Sequence, residues 1–244
     1  VLAVQEILDA EALGALIEEL GAKQNKRYAW AFSENAAGNP QHIGLIVDSD
    51  KLSLEDVREH TEIDVSGTLR PGLSARITSE GGIDFSVMVL HLASGDSGGR
   101  VELRAAQARQ AASIVAAQRL ERMDDDYLVL GDLNTAKEEA EYPVLDEAFA
   151  SGESALTRQE HADPCTSYWI KRSTNPLVRP STIDHVYAAS LTERDVDVPI
   201  ESGTHCAEYL CQAFESRDAL SGRSFYSVSD HCPVYFEVAD EDRD

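Results

Sequence analysis

The sequence predicts an α/β fold built on mixed sheets, and two features of its pattern predict it. Short apolar runs of strand length alternate with segments of helical periodicity, which is the α/β signature. Several of those runs are joined by connections too short for a helical crossover, so some neighbouring strands must run antiparallel. The chain has 244 residues and 43% hydrophobic content. That suits one domain over residues 1–244, at the upper end of single-domain size. No apolar run approaches the roughly 20 residues needed to cross a bilayer, so no membrane span is expected.

Taken in order, Val1 to Val4 reads as a buried strand with Gln5 and Glu6 at its end. Asp9 is placed to cap a helix running to Leu20, with Gly21 as its stop. Tyr28 to Phe32 and Ile43 to Val47 read as strands around a Gly-, Asn- and Pro-containing loop. The charged stretch Asp48 to Asp64 reads as a surface loop, followed by a short strand near Leu73 to Ile77. Asp84 to Leu90 is a strand that runs into His91, a Gly- and Ser-rich turn, and a long helix from Val101 to Leu120. Tyr127 to Leu130, Thr182 to Tyr187 and Cys232 to Val238 complete the strands. No repeat or low-complexity linker marks a domain boundary.

Acidic residues outnumber basic ones by 44 to 21, for a formal charge of −23, and only five of the basic residues are lysines. A nucleic-acid binder normally shows the reverse, because phosphate contacts need Lys and Arg. Either the surface is adapted to high salt, where screening shortens the reach of charge, or the substrate is not a long polyanion. The four cysteines, Cys165, Cys206, Cys211 and Cys232, do not make a disulfide scaffold or a CxxC zinc site. Cys206 and Cys211 either close a small loop or stay reduced. A disulfide would point to an oxidising compartment, secreted or periplasmic; the compartment is otherwise open.

The informative pattern is where polar residues sit. Glu6, His91, Asp132 with Asn134, Asp184 with His185, and Asp230 with His231 are each read as following an apolar strand. Strand ends of α/β sheets converge on one rim, where ligands bind. Singly, each has an ordinary explanation: Glu6 as a helix N-terminal carboxylate, Asp132 and Asn134 as turn formers, Asp184 as the partner of an arginine, His91 as a satisfied strand-end histidine. Together their types fit metal-assisted attack on a phosphate ester. Carboxylate and amide oxygens suit magnesium or manganese, histidine titrates where a general base must, and a buried carboxylate such as Asp184 can orient it. His185 reads as structural. Arg100, Arg104 and Gln107 either reach phosphate or form a solvated helix face. Tyr168 and Trp169 read as core ahead of a stacking platform, and His42, His60, His161 and His205 have no partner spacing.

Five stretches in order carry a family resemblance: Val-Leu-Ala-Val-Gln-Glu at 1–6, His-Leu at 91–92, Gly-Asp-Leu-Asn at 131–134, Ile-Asp-His-Val at 183–186 and Ser-Asp-His-Cys-Pro-Val at 229–234. The set resembles the endonuclease/exonuclease/phosphatase superfamily that includes DNase I and exonuclease III. The resemblance implies a four-layer α/β/β/α sandwich of two mixed sheets with a divalent-metal site on one rim. By motif, Glu6 would bind the metal, with Asp230 as a further acidic contributor. His231 would be the general base, held by Asp184. Asp132 and Asn134 would position nucleophile and scissile phosphate, Asp132 also touching a second metal, and His91 would serve the phosphate and leaving group. The family's usual opening strand, ending in a metal-binding asparagine, lies upstream of the Glu6 motif and is not in this chain.

The superfamily covers several phosphate esters. Pro-Ser-Thr-Ile-Asp-His-Val stands where inositol phosphatases usually carry a Trp-x-Asp-Arg type motif. Ile7 to Glu11 lacks the lysine usual in abasic-site enzymes. Arg70 to Arg76 followed by the strand into His-Leu is closer to the DNase I-like and bacterial secreted nuclease branches. The expectation is a metal-dependent nuclease or phosphodiesterase acting on nucleic acid or another phosphodiester, with no partner protein implied. The alternatives are a small-substrate, sphingomyelinase-like phosphoesterase, or a non-catalytic binding module if the missing first strand is natural.

Overall fold

In the computed structural model of the chain, residues 1–34, 41–136, 142–170, 177–191, 198–216, 219–220, 225 and 227–241 are described. Two sheets carry the fold. A three-stranded antiparallel sheet, order β1-β3-β2, is formed by β1 (Leu2–Ile7), β2 (Tyr28–Phe32) and β3 (His42–Asp48). A six-stranded mixed sheet, order β4-β5-β6-β7-β11-β8, is formed by β4 (Leu52–His60), β5 (Gly72–Ser79), β6 (Asp84–His91), β7 (Tyr127–Asp132), β8 (Thr157–Arg158) and β11 (Asp184–Ala189). Its one parallel pair, β6 with β7, is joined by the long helix α2 (Gly98–Arg122), as a parallel neighbour requires. The hairpin of β9 (Ser167–Ile170) and β10 (Val178–Ser181), the pair β12 (Glu201–Ser202) and β13 (Val234–Tyr235), and α4 (Thr204–Tyr209) lie apart from both sheets.

Period-two alternation sorts the core into layers. Met88 and Leu90 of β6, Val129 of β7 and Tyr187 of β11 face Ala111, Val115 and Phe149 of α2 and α3 (Tyr142–Ala150). The alternate residues Val87, Val89, Leu128 and Val186 face Ile43, Leu45 and Val47 of β3. The outer face of the small sheet is closed by α1 (Ala10–Gln24), whose Leu13 is fully buried over Gly44. The result is the expected α/β/β/α sandwich. No helix among the described residues is long and apolar enough to cross a membrane.

Three local expectations are corrected. Asp48 to Asp64 is not a loop: it holds β4, an edge strand whose charges made it unreadable by hydropathy. Arg58 bonds Asp56 of the same strand at 2.8 Å and Glu121 of helix α2 (Gly98–Arg122) at 2.7 Å, and such charges blunt an edge strand. The final strand is two residues, not Cys232 to Val238, because Pro233 has no N–H for a ladder; Phe236 and Val238 still pack on the inter-sheet core. Helix α1 runs past Gly21 to an Asn25 cap in the left-handed region, φ 51°, while Asp9 caps its start, accepting from the Ala12 N–H at 2.7 Å.

Candidate active site

Strand register builds the centre of the site. His91 lies opposite Asp132 across the parallel β6/β7 pair. Asp184 lies opposite Asp132 across the antiparallel β7/β11 pair. In-register neighbours point to the same face, so the three side chains form a row at the sheet rim, on the inter-sheet side. His185, one residue on, points to the opposite face, where its Nε2 lies 2.8 Å from the Thr135 carbonyl oxygen. Alternation alone therefore separates Asp184 from the structural His185.

Gly131 lets β7 approach β6 at this point. Its φ is +135°, and a Cβ there would fall inside the contact shell of the Leu90 carbonyl oxygen. The chain then folds back on itself: the Asn134 N–H donates to Asp132 Oδ1 at 2.8 Å, and its amide nitrogen to Asp132 Oδ2 at 3.0 Å and the Leu92 carbonyl at 3.2 Å. On the other side, His91 Nε2 sits 3.2 Å from Asp132 Oδ2, and its buried Nδ1 has no hydrogen-bond partner among the described residues. Burial alone would push the Asp132 carboxyl up, but the His91 hydrogen bond and the charges of His91 and His231 hold it below its ordinary value.

His231 closes the row from outside the sheet. Its Nδ1 donates to the Asp184 carboxylate at 3.0 and 2.9 Å, and its Nε2 lies 3.9 Å from Asp132 Oδ2. Burial works against the imidazolium, yet the Asp184 hydrogen bond with the charges of Asp184, Asp132 and Asp230 holds it up at about 10. Burial pushes the Asp184 carboxyl up, against the bond and charge of His231. Asp184 is steadied by Thr166, whose hydroxyl donates to Oδ2 at 2.6 Å and accepts from the N–H groups of Ile183 and Asp184, each at 3.1 Å.

Glu6 comes from the other sheet. It sits in a bulge of β1, between Val4 and Ile7, with φ 57°. Its Oε1 is 4.0 Å from His91 Nε2 and accepts from the Gln41 amide at 2.7 Å. Arg70, itself buried, donates to the Gln41 amide oxygen and sets its charge beside Glu6 and Asp132. Sequence reasoning gave Gln41, Arg70 and Thr166 no role here. Only the Arg70 to Arg76 stretch carried a signal, and it bore on the branch of the family, not on this contact.

Glu6, Asp132 and Asp230 do not close into a ready-made cluster: among the described residues no group containing them has all ligand atoms within 4.8 Å. Glu6 is open to solvent, with a side chain 55% exposed, and the donors are hard carboxylate oxygens, which fit a divalent cation of the magnesium type with retained waters. His205, Cys206 and Cys232 do lie that close, but both sulfurs are in a disulfide. The pairs are Cys165–Cys211 and Cys206–Cys232, so the Cys206–Cys211 pairing considered from sequence is corrected. Cys206 turns into the small core around Tyr168, and Cys211, past the end of α4, turns to Cys165.

Arg104 and Gln107 neither reach phosphate nor form a solvated face. Arg104 is 1% exposed and donates to the carbonyls of Ala93 and Gly95, and Gln107 accepts from the Ala93 N–H at 2.9 Å. They buttress the turn that follows His91. Tyr168 is core, as expected, but Trp169 is half exposed.

The family model of the Endonuclease/Exonuclease/phosphatase family matches residues 1–231. The chain belongs to that family. Its members are hydrolases of phosphoester bonds and generally use divalent metal ions. Among solved structures, the human Nocturnin catalytic domain with bound sulfate is 16% identical, with a TM-score of 0.58 over 96% of this chain and 80% of that one. TDP2 from D. rerio, complexed with single strand DNA product, is 18% identical with a TM-score of 0.52 over 83% of this chain and 74% of that one. The mannosyl-6-phosphatase Bt3783 of Bacteroides thetaiotaomicron is 14% identical with a TM-score of 0.56 over 95% and 82%. At these identities the likeness is one of fold. No curated protein sequence matches the chain.

Proposed function

We propose that this family member is a metal-dependent phosphodiesterase acting on nucleic acid, with His231 as general base. The observation that carries the reading is the row His91–Asp132–His231, in which one carboxylate faces an imidazole on each side and Asp184 fixes the second ring. Asp184 orients Nδ1–H, which leaves Nε2 facing the site to take a proton from water. The imidazolium that forms is stabilised by the same carboxylate. Asn134, tied to Asp132, positions the phosphate, and His91 hydrogen-bonds the phosphate and leaving oxygen from the opposite side. A magnesium or manganese ion held by Glu6, Asp132 and Asp230 would supply Lewis-acid charge at the phosphate and offset the carboxylates facing His231. Arg70 adds fixed positive charge beside the same oxygens.

A DNA-bound relative of the same fold supports nucleic acid as substrate. The formal charge of −23 favours a second reading, a small phosphate ester. The two disulfides fit an oxidising compartment such as the cell exterior. The test is hydrolysis of plasmid DNA, single-stranded RNA, bis-p-nitrophenyl phosphate and sphingomyelin with magnesium, manganese or EDTA, beside His231→Ala. Metal-dependent cleavage of DNA or RNA, lost in the variant, is expected. Preference for a small ester would select the second reading, and cleavage that survives His231→Ala would remove the base assignment.

A further inference from the structure

We infer that the Cys206–Cys232 disulfide is a positioning element for His231 against Asp184, so that a dithiol reaching it lowers turnover. The inference rests on the role proposed above for His231. Asp184 is fixed by its ladder to β7. Among the described residues His231 has no such support: its ladder contact is an isolated bridge to Ser167, and β13 begins at Val234 and pairs with the two residues of β12. What places the ring is a set of anchors on its neighbours. The Tyr168 N–H donates to the Asp230 carbonyl at 2.9 Å, the Cys232 N–H to the Thr166 carbonyl at 2.7 Å, and the His231 N–H to Ser229 Oγ at 3.0 Å. The covalent anchor is the Cys232 sulfur, bonded to Cys206 of α4.

Helix α4 is six residues long, too short to hold its own position. Cys206 fixes one point of it, and Cys211, just past its end, is bonded to Cys165. Cys165 precedes Thr166, whose hydroxyl holds Asp184. The two disulfides thus tie one short helix to both halves of the dyad, one bond beside His231 and one beside the residue that steadies Asp184. Opening Cys206–Cys232 frees a segment closed over 26 residues, and a displacement of about 1 Å at a reacting group costs roughly a hundredfold in rate. The reduction is an ordinary exchange. A thiolate of the dithiol attacks one sulfur, forms a mixed disulfide and releases the other cysteine as thiolate. The second thiol of the reductant then closes its own disulfide, releasing the second cysteine, and both thiolates take up protons.

The test is the Cys206→Ala/Cys232→Ala variant, with Cys165–Cys211 intact, assayed on bis-p-nitrophenyl phosphate with saturating magnesium. We expect kcat to fall at least about tenfold with KM within about twofold. Adding His231→Ala should then cost less than the roughly hundredfold or more it costs in the parent, leaving the combined variant no slower than His231→Ala alone. An unchanged kcat per folded molecule, or an equal His231→Ala penalty in both backgrounds, overturns the inference. Should the variant fail to fold, the intact protein is treated with dithiothreitol and its thiols are counted by alkylation. Activity should fall as Cys206–Cys232 opens and return on reoxidation; full activity with that bond open overturns it. If the oxidised protein cleaves nothing, the functional reading fails instead, and positioning is read without turnover. The low-field proton between His231 Nδ1 and Asp184 should be present in the oxidised protein and absent after reduction; its persistence overturns the inference.

Discussion

Two regions meet at the site and hold their residues by different means. His91, Asp132 and Asp184 stand on three adjacent strands of the six-stranded sheet, in register. His231 arrives on a loop secured by two disulfides, a few backbone bonds and a small separate core. Sheet register fixes a side chain through many shared hydrogen bonds, so no single bond matters greatly. A loop is fixed by a handful of contacts, so each of them matters. The difference teaches that the three sheet residues share one rigid frame, whereas the placement of His231 depends on a few local anchors.

The largest expected effect tests whether the two regions act as one unit. His231→Ala and Asp184→Asn should each lower kcat by about 10²–10⁴ on bis-p-nitrophenyl phosphate, with KM little changed. The double variant should be no slower than the worse single, since one proton-transfer pair is broken either way. Penalties that multiply would break the comparison and separate the roles.

Stability should divide along the same line. Gly131→Ala puts a methyl into the Leu90 carbonyl at a φ of +135°, and should cost about 3 kcal/mol or more, read from the urea midpoint. Ser229→Ala on the loop side removes the His231 N–H acceptor and should cost about 1 kcal/mol. Thr166→Val keeps the shape of a fully buried side chain and removes the hydroxyl that steadies Asp184. It should lower kcat about tenfold and cost about 1–2 kcal/mol.

Acid and alkali should attack the two regions separately. Burial pushes His161 and His185, behind the sheet row, down to about 4 from an ordinary 6.5. The unfolded chain takes up those protons first, so stability is intact above about pH 6.5 and falls as pH drops toward 4. The His231 imidazolium is held up at about 10, so its contribution is present below about pH 6.5 and lost as pH rises through 10. In EDTA, urea midpoints across this range should therefore form a bell. His161→Phe, which replaces a ring with neither nitrogen bonded among the described residues, should flatten the acid limb, and His231→Gln the alkaline one. A flat profile in wild type would remove both assignments.

What could be read in the sequence follows the same division. Short apolar runs marked β6, β7 and β11, and His91, Asp132 and Asp184 stood out as the polar residues beside them, although Asp184 begins its strand and does not follow one. The face of the sheet was not visible for His185, because only register separates it from Asp184. β4 was missed because charge on an edge strand looks like a loop. The disulfide pairing was illegible because connectivity depends on where α4 turns Cys206 and Cys211, which spacing does not encode. Gln41, Arg70 and Thr166 were missed for a related reason: each acts through a partner from another element, and single-sequence spacing carries no such information.

The smallest expected effect concerns the surface around both regions. A charge of −23 repels a polyanion far more than a small diester. Raising ionic strength from 0.1 to 1 M shortens the screening length from about 10 to about 3 Å. Added salt also weakens the basic contacts a protein makes to nucleic-acid phosphates. Here Arg70 is buried, with its charge felt by Glu6 and Asp132, where screening reaches poorly, while the repelling carboxylates are largely exposed, where it reaches well. The balance should therefore tip toward binding. With magnesium saturating throughout, kcat/KM on DNA should hold or rise by about two- to fivefold between 0.1 and 1 M potassium chloride, while that on bis-p-nitrophenyl phosphate changes less. A steep fall on DNA, with the diester unaffected, would mean that exposed basic contacts dominate and that the acidic surface is no adaptation to salt.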